Sequence, residues 1–180
     1  RIINNSGSTV ETELIEFGFK DVTKIDRIVI TDNFGRVMDL HLPKGAQQWT
    51  DKDGNCVSQE GVFYILDACK KIEFKGYLTD NSVKTTKDMM VTQHTKVEYY
   101  VNGEWSKTWY IGQATKDHLG QIMLLDSKEL GLSDRPVIMA IKGMHGIIDP
   151  RFYADPLKWR CSEMIALQPN EIKKVEVNYP

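Results

Sequence analysis

The sequence predicts an α+β domain: a mainly antiparallel sheet with one or two helices packed on one face. Three observations predict it. Short β-branched runs are separated by turn residues at both ends of the chain, as in IDRIVITD-NFG-RVMDLHL and KVEYYV-NG-EWSKTWYIG. One segment between them changes to helical period, with Val62, Ile65, Leu66, Cys69 and Ile72 spaced for one face. The chain has 180 residues, of which 41% are hydrophobic and 27% charged, enough to bury one core without staples.

Residues 1–16 are polar and lack apolar periodicity, so they read as a flexible leader to a single domain over 17–180. Ile25, Ile28 and Ile30 begin the first strand, NFG turns the chain, and Val37, Met38, Leu40 and Leu42 carry the second. A third short strand is expected near Gln47–Thr50, before the turn DKDGN. Ser58 is placed to cap a helix over Gln59–Lys71, and a second, narrower stripe of Val83, Thr86 and Met90 predicts a helix over Ser82–Thr92. KVEYYV, EWSKTWYIG, QIMLLD and PVIMAI then read as successive antiparallel strands. The closing EIKKVEVNYP places Ile172, Val175 and Val177 much as Ile25, Ile28 and Ile30 are placed. It reads as an edge strand of this domain or as the first strand of a further module beginning near residue 170.

Two registers compete at Asn102-Gly103. A two-residue turn, favoured because both residues tolerate positive φ, pairs Val101 with Glu104 and Tyr100 with Trp105. Tyr100, Trp105 and Trp109 would then share a face with Glu98 and Lys107, an aromatic platform suited to stacking sugar rings. A three-residue loop instead sets Val97 opposite Trp109 and sends both tryptophans to the core. Burial of roughly 150–250 Å² per tryptophan favours the core, whereas turn chemistry favours the platform.

Composition excludes some partners. A formal net charge of −2, with Lys and Arg dispersed among acids, leaves no footprint for nucleic acid. No apolar run reaches the roughly 18 residues that span a bilayer. His41, His94, His118 and His145 never stand at ligand spacing, and no cysteines stand as CxxC, so no metal site and no cofactor is expected. Asp51, Asp53 and Asn55 open like a calcium loop, but Gly54 and Val62 occupy positions that such a loop gives to other residues, which leaves a solvated turn. Nucleophile elbows, Walker loops and dinucleotide fingerprints are missing, so no catalytic residue is assigned. Cys56, Cys69 and Cys161 are far apart, and all three are expected as free thiols.

The most particular stretch is GIIDPRFYADPLKWRC, from Gly146 to Cys161. Pro150 and Pro156 should hold Asp149 and Asp155 extended, giving a ledge-like loop. It reads either as a structural loop, with Phe152 and Trp159 as anchors and Arg151 and Arg160 tying its backbone, or as a surface for a ligand or partner. The residues that such a surface would use are Trp105, Trp109, His145, Asp149, Arg151, Trp159 and Arg160.

FKDVTKIDRIVITD, VFYILDACKKIEFKG, the series KVEYYVNG, YIG and GQIMLL, GIIDPRFYADPLKWRC and PNEIKKVEVNYP together resemble the bacterial family called domain of unknown function 4340, in its Bacteroidetes-like form. The similarity runs from Phe17 onward. It implies a non-enzymatic accessory domain on the periplasmic side of the cell envelope, held by an upstream hydrophobic or lipid anchor. Its implied partners are envelope proteins, including ABC-transporter components of the gliding-auxiliary type. The family lends no catalytic residues. A carbohydrate-binding module using the aromatic face is the other expectation.

Overall fold

The computed structural model describes residues 16–144, 146–161 and 172–177. Its strands are β1 (Ile25–Thr31), β2 (Val37–His41), β3 (Thr50–Asp51), β4 (Ile72–Tyr77), β5 (Thr95–Val101), β6 (Glu104–Ala114), β7 (Gln121–Ser127), β8 (Gly131–Leu132) and β9 (Val137–Ile141). They form one antiparallel sheet in the order β3-β2-β1-β5-β6-β7-β9-β4, with β8 beside β7. The expected α+β class, sheet-dominated and antiparallel, is what the chain adopts.

Helix α1 (Gln59–Lys71) starts where Ser58 accepts the Gly61 amide, and it buries Val62, Ile65, Ala68 and Cys69 against the sheet. Its last turn carries Lys70 and Lys71, which suit the negative end of the helix. The chain leaves α1 directly into β4 at Ile72, so the apolar residue that completes the helical stripe begins a strand. Helix α2 (Asp80–Thr92) buries only Met90, whose side chain lies where a Cβ on Gly112 would come within 3.0 Å. Arg135 fastens its first turn by donating to Asp80 and to the Leu78 carbonyl.

Strand alternation gives the sheet two distinct faces. Ile28, Ile30, Val97, Tyr99, Trp109, Ile111, Met123 and Leu125 line the core face beneath α1. Trp109 is the hub: it is wholly buried, its indole donates to the Phe17 carbonyl, and Phe17, Tyr99 and Phe152 surround its ring at 4.9–6.1 Å. Helix α2 rests on the opposite face, at its Gly112 end, where His94 meets the Tyr110 ring edge-on.

Three expectations need comment. The leader lies outside the described residues apart from Glu16. Ile172–Val177 takes no strand conformation, and Val175 and Val177 stand 69% and 64% exposed, so the edge-strand expectation is corrected. Apolar alternation stabilises a strand only where ladder bonds can form, and no described strand pairs with this segment. Asp155 is extended as expected, but Asp149 opens a 3-10 turn over Asp149–Arg151 instead.

Candidate binding face

The β5–β6 hairpin takes the two-residue turn at its tip and, below it, the Val97–Trp109 pairing of the other register, while Trp105 does not enter the core. Asn102 and Gly103 adopt φ of 53° and 78°, and the turn pairs Val101 with Glu104 and Tyr100 with Trp105. Ser106 is then an extra residue, a β-bulge, after which Tyr99 faces Lys107 and Val97 faces Trp109. Turn chemistry governs the tip, and burial governs the strand below it. The platform joining Trp105 to Trp109 is therefore corrected: the two lie on opposite faces, and Lys107 goes with Trp109. Lys107 donates to the carbonyls of Glu16 and Gly18 over the Phe19 ring, and burial holds its pKa below the usual lysine value.

Opposite the core, cross-strand pairing sets side chains in three rows. One row reads Val37, Thr31, Lys96, Tyr110, Leu124 from β2 to β7. The next reads Asp39, Val29, Glu98, Thr108, Asp126. The third reads His41, Arg27, Tyr100, Trp105. With strands about 4.8 Å apart, the acids of the middle row recur at about 10 Å.

The charges on this face are mostly matched. Arg27 donates to both oxygens of Asp39 at 2.9 and 2.8 Å, and His41 Nε2 lies 2.9 Å from the same carboxylate. Burial pushes the Asp39 pKa up, but Arg27 and His41 outweigh it, leaving the carboxyl below its usual value. The Arg27 guanidinium also lies 4.7 Å over the Tyr100 ring. Lys96 and Glu98 pair at 3.0 Å. Trp105 donates its indole N–H to the Thr108 hydroxyl at 2.9 Å, which ties the ring to its own strand. Asp126, across from Thr108, has its pKa raised by burial, opposed only by the Ser127 amide.

The Asp149–Arg160 loop is held by different groups from those expected. Trp159 is completely buried, its indole donates to the Tyr153 carbonyl at 2.8 Å, and its own carbonyl accepts from Ser58. Phe152 is buried against Trp109, and the Gln121 side chain accepts from the Ile148 amide while donating to the Gly112 carbonyl. The anchoring role of Phe152 and Trp159 is thus seen directly. Among the described residues, however, the arginine side chains are not seen to tie the backbone: Arg151 reaches the Met144 sulfur, and Arg160 is exposed while its main chain bridges to Val57. Aromatic burial and main-chain pairing already satisfy the loop, so no guanidinium clamp is required.

Cys161 is bonded to Cys56, 105 residues away, which corrects the free-thiol expectation and removes Cys161 as a nucleophile. Cys69 alone is free, and burial pushes its thiol up to about 12, which makes it inert as a nucleophile. Among the described candidate surface residues, no hydrogen bond or ion pair joins one side chain to another; Asp149 meets Thr95 and Arg151 meets Met144. Trp109 and Trp159 are core, Trp105 is on the far face, Arg160 is at the end of the loop, and His145 lies outside the described residues. Asp149 borders a recess of about 320 Å³ with Asn33, Gln93, His94 and Gln113, and burial raises its pKa against a weak 3.5 Å bond from Thr95.

A larger cleft of about 560 Å³ opens beside the hairpin tip, lined by Phe19, Lys24, Trp105, Lys107, Lys128 and Glu129 among others. Its lysines are largely spent, Lys107 on backbone carbonyls and Lys128 on Glu104. Among the described residues, no cluster of three His, Cys, Asp or Glu could hold a metal ion, and no helix is long and apolar enough to cross a membrane. Sequence reasoning paired Tyr100 and Trp105 correctly but missed Tyr110, Thr108 and Asp126, whose alternation with core residues was visible once the register was known. No family model, no curated protein and no solved structure matches this chain.

Proposed function

We propose that this chain is a non-catalytic, extracytoplasmic interaction domain that holds an envelope protein partner on the sheet face opposite α1. The carrying observation is the set of three cross-strand rows. A sheet face turned only to water needs no interlocked Arg27–Asp39–His41 and Lys96–Glu98 pairs beside three half-buried aromatics. Such a mixture of oriented charge and aromatic surface suits recognition of a polar protein surface.

The Cys56–Cys161 disulfide supports an oxidising compartment, consistent with the envelope location that the resemblance to domain of unknown function 4340 implies. Membrane attachment would come from an anchor upstream, and ABC-transporter components of the gliding type are the partners to look for. Among the described residues, nothing at Asp149 sets a nucleophile beside a base, and Cys161 is disulfide-bonded, which favours a binding role over a catalytic one.

Site-specific photocrosslinkers at Glu98 and Tyr110, installed in the native host, are expected to trap envelope proteins, whereas one at Lys70 on α1 should not. Equal yields from the three positions would sink the assignment of this face. A second reading, saccharide binding, is favoured by the cross-strand pair of half-buried Trp105 and Tyr100, and a neutral-glycan titration that perturbs Trp105 would establish it.

A further inference from the structure

Asp126 stands apart from the other acids on this face. Asp39 is held by Arg27 and His41, and Glu98 by Lys96, but no ion pair among the described residues includes Asp126. The nearest lysine along its own strand, Lys128, is engaged by Glu104. Thr108 lies directly across from Asp126 and fixes the Trp105 indole, while Tyr110 is one row away, close enough that the Asp126 charge raises its pKa alongside burial. Leu124, opposite Tyr110, closes the apolar side. The carboxylate therefore lies across from the threonine that holds the Trp105 indole, one row from the Tyr110 phenol and Leu124, with no ion-pair partner among the described residues.

That combination discriminates among ligands. Ring faces carry negative quadrupole density, so they repel an anion and attract a cation within about 6 Å. A half-buried carboxylate with few donors has lost hydration that only a charged donor restores well. We propose that Asp126, Trp105 and Tyr110 form a receptor for the ammonium or guanidinium group of a lysine or arginine in a basic segment of the protein partner. This rests on the reading of the face as a partner surface and names the chemistry by which it would select. Charge complementarity carries it: with Arg27 and Lys96 already matched, the charge left over on the face is the negative one at Asp126.

The experiment is a titration of protein labelled with ¹⁵N-tryptophan, using hexalysine as probe and cellohexaose as the neutral comparison. Hexalysine is expected to shift the Trp105 indole resonance saturably. Asp126→Asn should weaken it about tenfold, as loss of a charge-assisted bond implies, while Asp53→Asn, in an exposed turn, leaves it unchanged. Tyr110→Leu keeps the bulk and should weaken binding as well. Equal hexalysine affinity in the Asp126 and Asp53 variants would reduce the effect to general attraction and overturn the receptor. A Trp105 shift with cellohexaose and none with hexalysine would overturn it in favour of a saccharide. Crosslinks from Glu98 that persist in Asp126→Asn would sink the cation receptor but spare the partner face; hexalysine binding without crosslinks would do the reverse.

Discussion

Asp126 is held against its own preference. Its folded pKa is raised by burial, so the charged form is disfavoured in the folded chain, and stability falls as pH rises through the unfolded and then the folded value. Asp126→Asn is therefore expected to raise Tm at pH 7 by about 1–3 °C, with the gain gone near pH 3, where both states are protonated. A lower Tm at pH 7 would show that the carboxylate is satisfied after all. Asp39 has the opposite sign, because Arg27 and His41 depress its pKa; its contribution is present above the unfolded carboxylate value and disappears as acid protonates the folded group. Gly61, in the first turn of α1, sits against the Trp159 ring. Alanine normally improves a helix by about 1 kcal/mol, but a Cβ there would lie 2.8 Å from the Trp159 ring and 3.2 Å from the Tyr153 hydroxyl. Gly61→Ala is expected to destabilise by about 1–3 kcal/mol in urea denaturation, the cost of overpacking. The glycine in the first turn of α1 was visible in the sequence; the tryptophan that needs it is almost a hundred residues on.

Among the elements, the β5–β6 hairpin shows how a single extra residue reconciles two demands. Deleting Ser106 leaves Tyr100 opposite Trp105 and Val97 opposite Trp109, because the residue lies between the two registers. The deletion is expected to fold, to cost no more than about 1–2 kcal/mol including the lost bond from the Lys128 amide to the Ser106 carbonyl, and to keep the Trp109 indole protected from hydrogen exchange. Rapid Trp109 exchange would mean that the bulge is needed for the register itself. Sequence patterns found α1 with its Ser58 cap, both strands of the first hairpin and the succession from β5 to β7, since periodicity and capping are local properties. They missed β4, whose IEFKGY run continues the helical stripe at Ile72, and β8, which has only two residues. They overrated EIKKVEVNYP, because alternation says what a strand would bury and nothing of whether a partner strand is there.

Across the whole molecule, the Cys56–Cys161 bond joins the approach to α1 to the end of the Trp159 loop, where Val57 and Arg160 bridge and Ser58 bonds Trp159. Closing a span of that length restricts the unfolded chain strongly, so Cys56→Ser is expected to lower stability by about 2–4 kcal/mol. Denatured, unreduced protein should titrate one thiol, Cys69; three would place the chain in a reducing compartment and remove the support that the bond lends to an envelope location. By itself the sequence determined the class of fold and the positions of most elements, and it offered the tight turn at Asn102-Gly103 and the anchoring of the Asp149–Arg160 loop by Phe152 and Trp159 each as one of two readings. These follow from hydrogen bonding, backbone preference and burial period within a few residues. Only the tertiary structure decided that Trp105 and Trp109 part company, that Cys56 finds Cys161, and that Asp126 lies across from the Thr108 that separates Trp105 from Tyr110. Each depends on which distant strands become neighbours and in which register, and a one-residue shift there moves a side chain from the core to the opposite face.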